Sequence, residues 1–230
     1  MAKIISAVRF AILCVLAFDA AAAAAAAEAG PPIATVTYTI RQTGVNAPYY
    51  SLAITSMGSA SYWSLPNSNQ RTGDPYTVQF AVSTATRAKI FQLTQHLHFF
   101  RGNFKNTHPN TGSKSLTFAE GSIKNEIFYD SSKNRSINRL TALFQKISAT
   151  MEFGRRLEGL RAGNPHHLAS ELEQMERQWK RGHLAEVQAI APVLRTIASD
   201  SAVPETARRY AGNILERTRA NESKVSSVRS

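Results

Sequence analysis

The apolar residues of this chain change their period once, and that change decides what it can fold into. From Ile33 to Tyr129 they mostly alternate, and from Ser136 onward they recur every three or four residues. The stretch "TVTYTIR" sets Val36, Tyr38 and Ile40 on one side and Thr35, Thr37 and Thr39 on the other. Alternation built from β-branched and aromatic residues is the pattern of a strand with one buried face. "YYSLAIT" repeats it with Tyr50, Leu52 and Ile54, and "YTVQFAV" with Tyr76, Val78, Phe80 and Val82. Gly58 lies between two such runs and predicts a hairpin turn. "NSNQRTGDP", Asn67 to Pro75, has loop composition.

A helix interrupts the strands. Ser83 or Thr84 is positioned to cap it, and Ile90, Leu93, Leu97 and Phe100 form its apolar stripe, with Gly102 as its stop. "SLTFA" and "IKNEIFY" then read as two strands joined around Gly121. Four strands, a helix, a hairpin and a further helix predict an α+β fold, an antiparallel sheet with helices packed on one face. An all-helical region follows. Ile137, Leu140, Phe144, Ile147 and Met151 define its first helix, which "GNP" at Gly163 to Pro165 terminates. Leu168, Leu172, Met175 and Trp179 define a second, closed by Gly182. Leu184, Val187, Ala191, Leu194 and Ile197 define a third, which Pro192 kinks or restarts. Pro204 suits the first turn of a last helix with Ala207, Ala211, Ile214 and Leu215 inward.

The stretches "PYYSLAITSMGSASYW", "VSTATRAKIFQLTQHLHFFRGNF" and "SLTFAEGSIKNEIFYDS" leading into "INRLTALFQKI" together resemble a small domain of unknown function found in exported bacterial proteins. The resemblance spans residues 36–147. It implies a hairpin, a helix ending in a bulky Phe-Phe corner, a second hairpin and a closing helix, and it implies no activity. "APVLRTIASDSAVPETARRYAGNIL" resembles one hairpin of a HEAT-type repeat. Stacked repeats need about three units, and no second copy is visible, so a plain helical bundle is the expectation.

The first residues read as a targeting segment. Lys3 and Arg9 flank the apolar run "IISAVRFAILCVLAF", and the small-residue tract "DAAAAAAAAEAG" follows. A basic start, a short apolar middle and an A-x-A site are the signature of a secretory signal peptide. Cleavage is expected after Ala29. The predicted layout is a signal peptide at 1–29, an α+β domain at 30–135, a helical region at 136–220 whose first helix closes that domain, and a disordered tail at 221–230. Cys14 is the chain's one cysteine. It lies in the apolar run behind Leu13, which is not the small residue that a lipidated cysteine wants. The mature chain is then without a thiol, which excludes disulfides and thiolate metal sites. Export to the periplasm or beyond is the expected location, with no transmembrane span after cleavage.

Lys plus Arg number 27 against 16 Asp plus Glu, a formal charge of +11. The charges lost on cleavage, Lys3, Arg9, Asp19 and Glu28, cancel. Such a balance attracts polyanions, and for an exported protein these are envelope polymers or membrane headgroups before nucleic acid. The surplus cations cluster at Arg155, Arg156, Lys180, Arg181, Arg208 and Arg209, which are the candidate polyanion-binding residues. Glu152 with Arg156, Glu173 with Arg177 and Glu176 with Lys180 have the spacing of ion pairs along a helix surface.

"QLTQHLHFFRGNF", Gln92 to Phe104, is the most chemically suggestive stretch. On a helix His96 and His98 point about 200° apart, so they do not share a metal, and the phenylalanines read as a buried helix end. No G-x-S-x-G, H-E-x-x-H, Walker loop or G-x-G-x-x-G is present. No cofactor or metal is expected. The leading expectation is a non-catalytic binding module of the bacterial envelope, acting on a protein partner or an anionic polymer. An enzyme without a known motif is the alternative from another class.

Overall fold

Alternation along the strands sorts their side chains as expected. In β1 (Thr35–Gln42) Val36, Tyr38 and Ile40 are buried while Thr35, Thr37 and Thr39 are half-buried. The register partners of Val36, Tyr38 and Ile40 continue their face: Ile54, Leu52 and Tyr50 on β2 (Tyr50–Thr55), and Phe118, Leu116 and Lys114 on β5 (Gly112–Glu120). β3 (Ser59–Ser64), β4 (Tyr76–Ala81) and β6 (Ile123–Tyr129) complete an antiparallel six-stranded sheet of order β4-β3-β2-β1-β5-β6. This is a computed structural model, and it describes residues 32–42, 50–65, 75–102 and 112–227. The predicted signal peptide lies outside them, as does most of the predicted loop from Asn67.

The inner face carries the core and the outer face is dominated by Thr, Ser and Ala. Among the described residues five helices pack on the inner side: α1 (Thr84–His96), α2 (Arg135–Gly163), α3 (Leu168–Lys180), α4 (Ala191–Ser199) and α5 (Glu205–Ser227). The fold is α+β, with the helices mostly C-terminal. Ala34–Ser230 form one compact unit, so residue 135 falls inside a shared core and separates no bodies. α5 is helical through Ser227, past the start of the tail expected at residue 221.

α2 crosses beneath the sheet, and a row of tyrosines meets it. Tyr38, Tyr50, Tyr62 and Tyr76 stand on β1 to β4, with successive ring centroids 6.0, 5.9 and 6.4 Å apart. The helix meets the strands in turn. Thr141 bonds Tyr129 of β6, Phe144 stacks on Tyr38 of β1 at 5.6 Å, Glu152 accepts from Tyr62 of β3, and Gly154 lies under Tyr76 of β4. The reason is dimensional. A helical turn advances about 5.4 Å and strands lie about 4.8 Å apart, so each turn reaches roughly one further strand. Gly154 is required there, because a Cβ would sit 2.8 Å from Ile190 Cγ2 and 3.3 Å from Tyr76 Oη.

One local expectation needs correction. α1 stops at His96, with Ser83 as its cap, and the stripe does not continue to Phe100. His98, Phe99 and Phe100 take φ of 49°, 54° and 61°, a left-handed turn. L-residues disfavour this region by about 1–2 kcal/mol each, and tertiary contacts hold it. Phe100 is buried, the Phe99 ring packs on Phe118 at 4.9 Å, and Asn125 donates to the Phe99 carbonyl at 2.9 Å. Pro192 restarts the helix, one of the two outcomes expected of it: it lies in the first turn of α4, after a 3-10 turn over Val187–Ile190.

Candidate functional site

β4 forms one edge of the sheet, and a groove of about 430 Å³ runs beside it. Its apolar lining is Phe80, Ala81, Ala189, Ala191, Pro192 and Leu215. Its polar lining is Gln188, Arg195, Arg219 and the buried Thr218, with Gln79, whose side-chain amide donates to Ser61 Oγ at 2.9 Å. Among the described residues no acidic side chain lines it. An apolar lining with a few directed polar groups is the general form of a ligand site.

The backbone of β4 is part of this site. Ser56 N–H donates to the Ala34 carbonyl and Val82 N–H to the Gly58 carbonyl. Antiparallel pairs alternate between bonded and non-bonded. With the strand register this makes Tyr76, Val78 and Phe80 the residues bonded to β3. Thr77, Gln79 and Ala81 therefore turn their N–H and C=O groups away from the sheet, and all three are exposed. Among the described residues no strand pairs with them.

Two carboxylates fix the walls. Glu186, in the left-handed region at φ 58° and buried, accepts from Ser83 N–H at 2.6 Å, Ser83 Oγ at 2.8 Å, Thr86 Oγ1 at 2.5 Å and Gln188 Nε2 at 2.5 Å. It ties the groove's Gln188 wall to the N-terminus of α1, where a negative charge is favoured by the helix dipole. Glu152 accepts from Tyr62 Oη at 2.7 Å, Ser64 Oγ at 2.9 Å and Arg155 Nε at 2.8 Å. This anchors β3 to α2 behind β4. Burial pushes the hydroxyls of Tyr38, Tyr62, Tyr76 and Tyr129 well above the ordinary tyrosine value and raises that of Tyr50, and the Glu152 charge adds to the rise at Tyr62. These phenols stay protonated; Tyr62 donates to Glu152, and Tyr38 accepts from Gln145 Nε2 at 3.5 Å.

The six cations singled out in the sequence sit on three elements. Arg155 and Arg156 are on α2, Lys180 and Arg181 at the end of α3, and Arg208 and Arg209 on α5. Three are engaged: Arg155 with Glu152, Arg156 with Glu171 at 2.6 Å and above the Phe153 ring, and Lys180 with Glu176 at 2.7 Å. Arg208 is half-buried, while Arg181 and Arg209 are exposed. Glu152 does not pair with Arg156 as the spacing suggests, because the sheet's hydroxyls draw it inward to the Arg155 side. Glu173 with Arg177 and Glu176 with Lys180 do pair. His96 and His98 are both exposed, and among the described residues no group of three His, Cys, Asp or Glu is placed to hold a metal. No described helix is long and apolar enough to cross a membrane.

The groove itself is not legible in the sequence. Its lining joins residues 79–81 to residues 188–219, and the alternation of β4 carries no mark of an edge position. The one signal is the uncharged "TVQFA". No protein-family model matches the chain, and no curated protein matches it either.

Proposed function

We propose that this protein is an exported, non-catalytic binding module of the bacterial envelope, and that it takes its ligand in the groove between β4 and the C-terminal helices. The observation that carries this reading is the coincidence of a bare strand edge, an apolar lining and acid-free cationic groups in one place. The Lys3–Arg9 flank, the apolar run and the Ala tract support export. The non-catalytic reading draws on the chemistry of the lining, whose described residues offer two arginines and no carboxylate or histidine to move a proton. The buried carboxylates Glu152 and Glu186 are taken up by hydrogen bonds that hold the fold.

Binding of an anionic polymer over the basic helices is the competing reading. It would rest on Arg181 and Arg209, since Arg155, Arg156 and Lys180 have partners within the protein. Site-specific photo-cross-linking in envelope extract separates the two. A benzophenone side chain at position 79 should give a discrete adduct that one at position 124 does not. Adducts only from probes at 181 and 209 would move the site to the basic helices.

A further inference from the structure

We infer that the ligand of this groove is an extended acidic peptide segment of a partner protein, added to β4 as a seventh strand. This rests on the groove being the binding site, and it names the chemistry of the occupant. Thr77, Gln79 and Ala81 present a ladder of donors and acceptors along an edge of six residues, about 20 Å long. A strand laid against them closes that ladder, which is how sheet edges recognise extended peptides. Its alternate side chains would then point to the inner side, over Phe80, Leu215 and Pro192, and to the outer side, beside exposed Thr77 and Gln79. An inward pattern of apolar residues with a carboxylate satisfies both the apolar lining and the two arginines.

Charge favours a foreign acidic segment over a second copy of this chain. Two β4 edges paired about a two-fold axis would bring Arg195 and Arg219 of both copies into one site, and like charges across an interface select against that pairing. The edge itself carries no Lys, Arg, Pro or acid to repel a strand, from Tyr76 to Ala81.

The test uses a fluorescein-labelled peptide of sequence Thr-Val-Thr-Glu-Thr-Val-Thr and fluorescence polarisation against the full chain. Binding is expected, and it should weaken as salt rises. Replacing the central Glu of the probe by Lys should weaken it about tenfold or more, a difference of about 1.4 kcal/mol. Arg195→Glu with Arg219→Glu should do the same. Gln79→Pro removes one outward N–H and no bond to β3, so the protein should fold normally and bind at least about tenfold more weakly. Normal circular dichroism and melting for this variant keep the result interpretable. Gln79→Ala retains the N–H and loses only the side-chain bond to Ser61 Oγ, so it should bind more tightly than Gln79→Pro. If the peptide binds and Gln79→Pro changes nothing, strand addition is overturned while the groove remains the site. If the wild type does not bind the probe, or self-associates in sedimentation through an edge that Gln79→Pro abolishes, the acidic-peptide inference is overturned.

Discussion

The two edges of the sheet are finished differently. β6 turns the backbone of Lys124, Glu126 and Phe128 outward, and Lys124 and Glu126 are exposed charges. β4 turns out Thr77, Gln79 and Ala81, and none is charged. Charges on an edge are a standard defence against pairing with a further strand. One edge of this sheet is therefore guarded and the other is open and flanked by a groove. The contrast teaches that the two edges of one sheet differ in charge, and it is this difference that the proposed strand addition at β4 rests on.

The largest effect should strike both edges at once. Tyr38, Tyr62 and Tyr129 are buried, and their hydroxyls titrate above the unfolded value in the fold. A raised folded pKa contributes stability that is fully present below the unfolded tyrosine value of about 10 and is lost as pH rises beyond it. One pH unit above that value, these three groups remove about 4 kcal/mol together. Denaturant melts at pH 8 and above pH 10, followed by tyrosinate absorbance, check this. A stability that is flat across that interval would mean that the row is solvated.

Gly154→Leu comes next and acts on the β4 side. Its Cβ alone would overlap Ile190 and crowd Tyr76. Overpacking of this kind costs about 3 kcal/mol, and the loss should appear in thermal melts with the groove probe released. Proline substitutions then separate the two faces of the β4 backbone. Val78→Pro deletes a bond to β3 and should cost about 2 kcal/mol, whereas Gln79→Pro should cost less than about 1 kcal/mol. Equal costs would break the assignment of which residues face outward. The smallest effect on stability belongs to β6. Lys124→Thr with Glu126→Thr should change stability by less than about 0.5 kcal/mol yet raise concentration-dependent scattering, because it makes the guarded edge resemble the open one.

Most of the secondary structure is legible because burial writes a period into the sequence. Val36, Tyr38 and Ile40 announce a half-buried strand, and Leu140, Phe144, Ile147 and Met151 a helix against it, all buried in the fold. Phe100 is core and His98 exposed, as the sequence predicts, but through a helix that ends before them. A spacing of three from Leu97 to Phe100 does not distinguish a right-handed turn from a left-handed one. Glu152 and Arg156 illustrate a second limit. Helical spacing names the residues within reach, whereas the choice of Arg155 depends on hydroxyls of Tyr62 and Ser64 that lie far away in sequence. The same limit hides the site. Strand order is a property of long-range pairing, and β5 docks on β1 instead of continuing from β4. That choice leaves β4 at the edge, beside helices encoded more than a hundred residues later.

Amide hydrogen exchange, read residue by residue along both edges, tests the open edge most directly. In the free protein Thr77, Gln79 and Ala81 should exchange fast and Val78 and Phe80 slowly, with Lys124 and Glu126 fast on β6. Adding the acidic peptide should slow Thr77, Gln79 and Ala81 together and leave the two β6 amides unchanged. Protection on β6, or a bound peptide that leaves the outward β4 amides fast, would contradict the account.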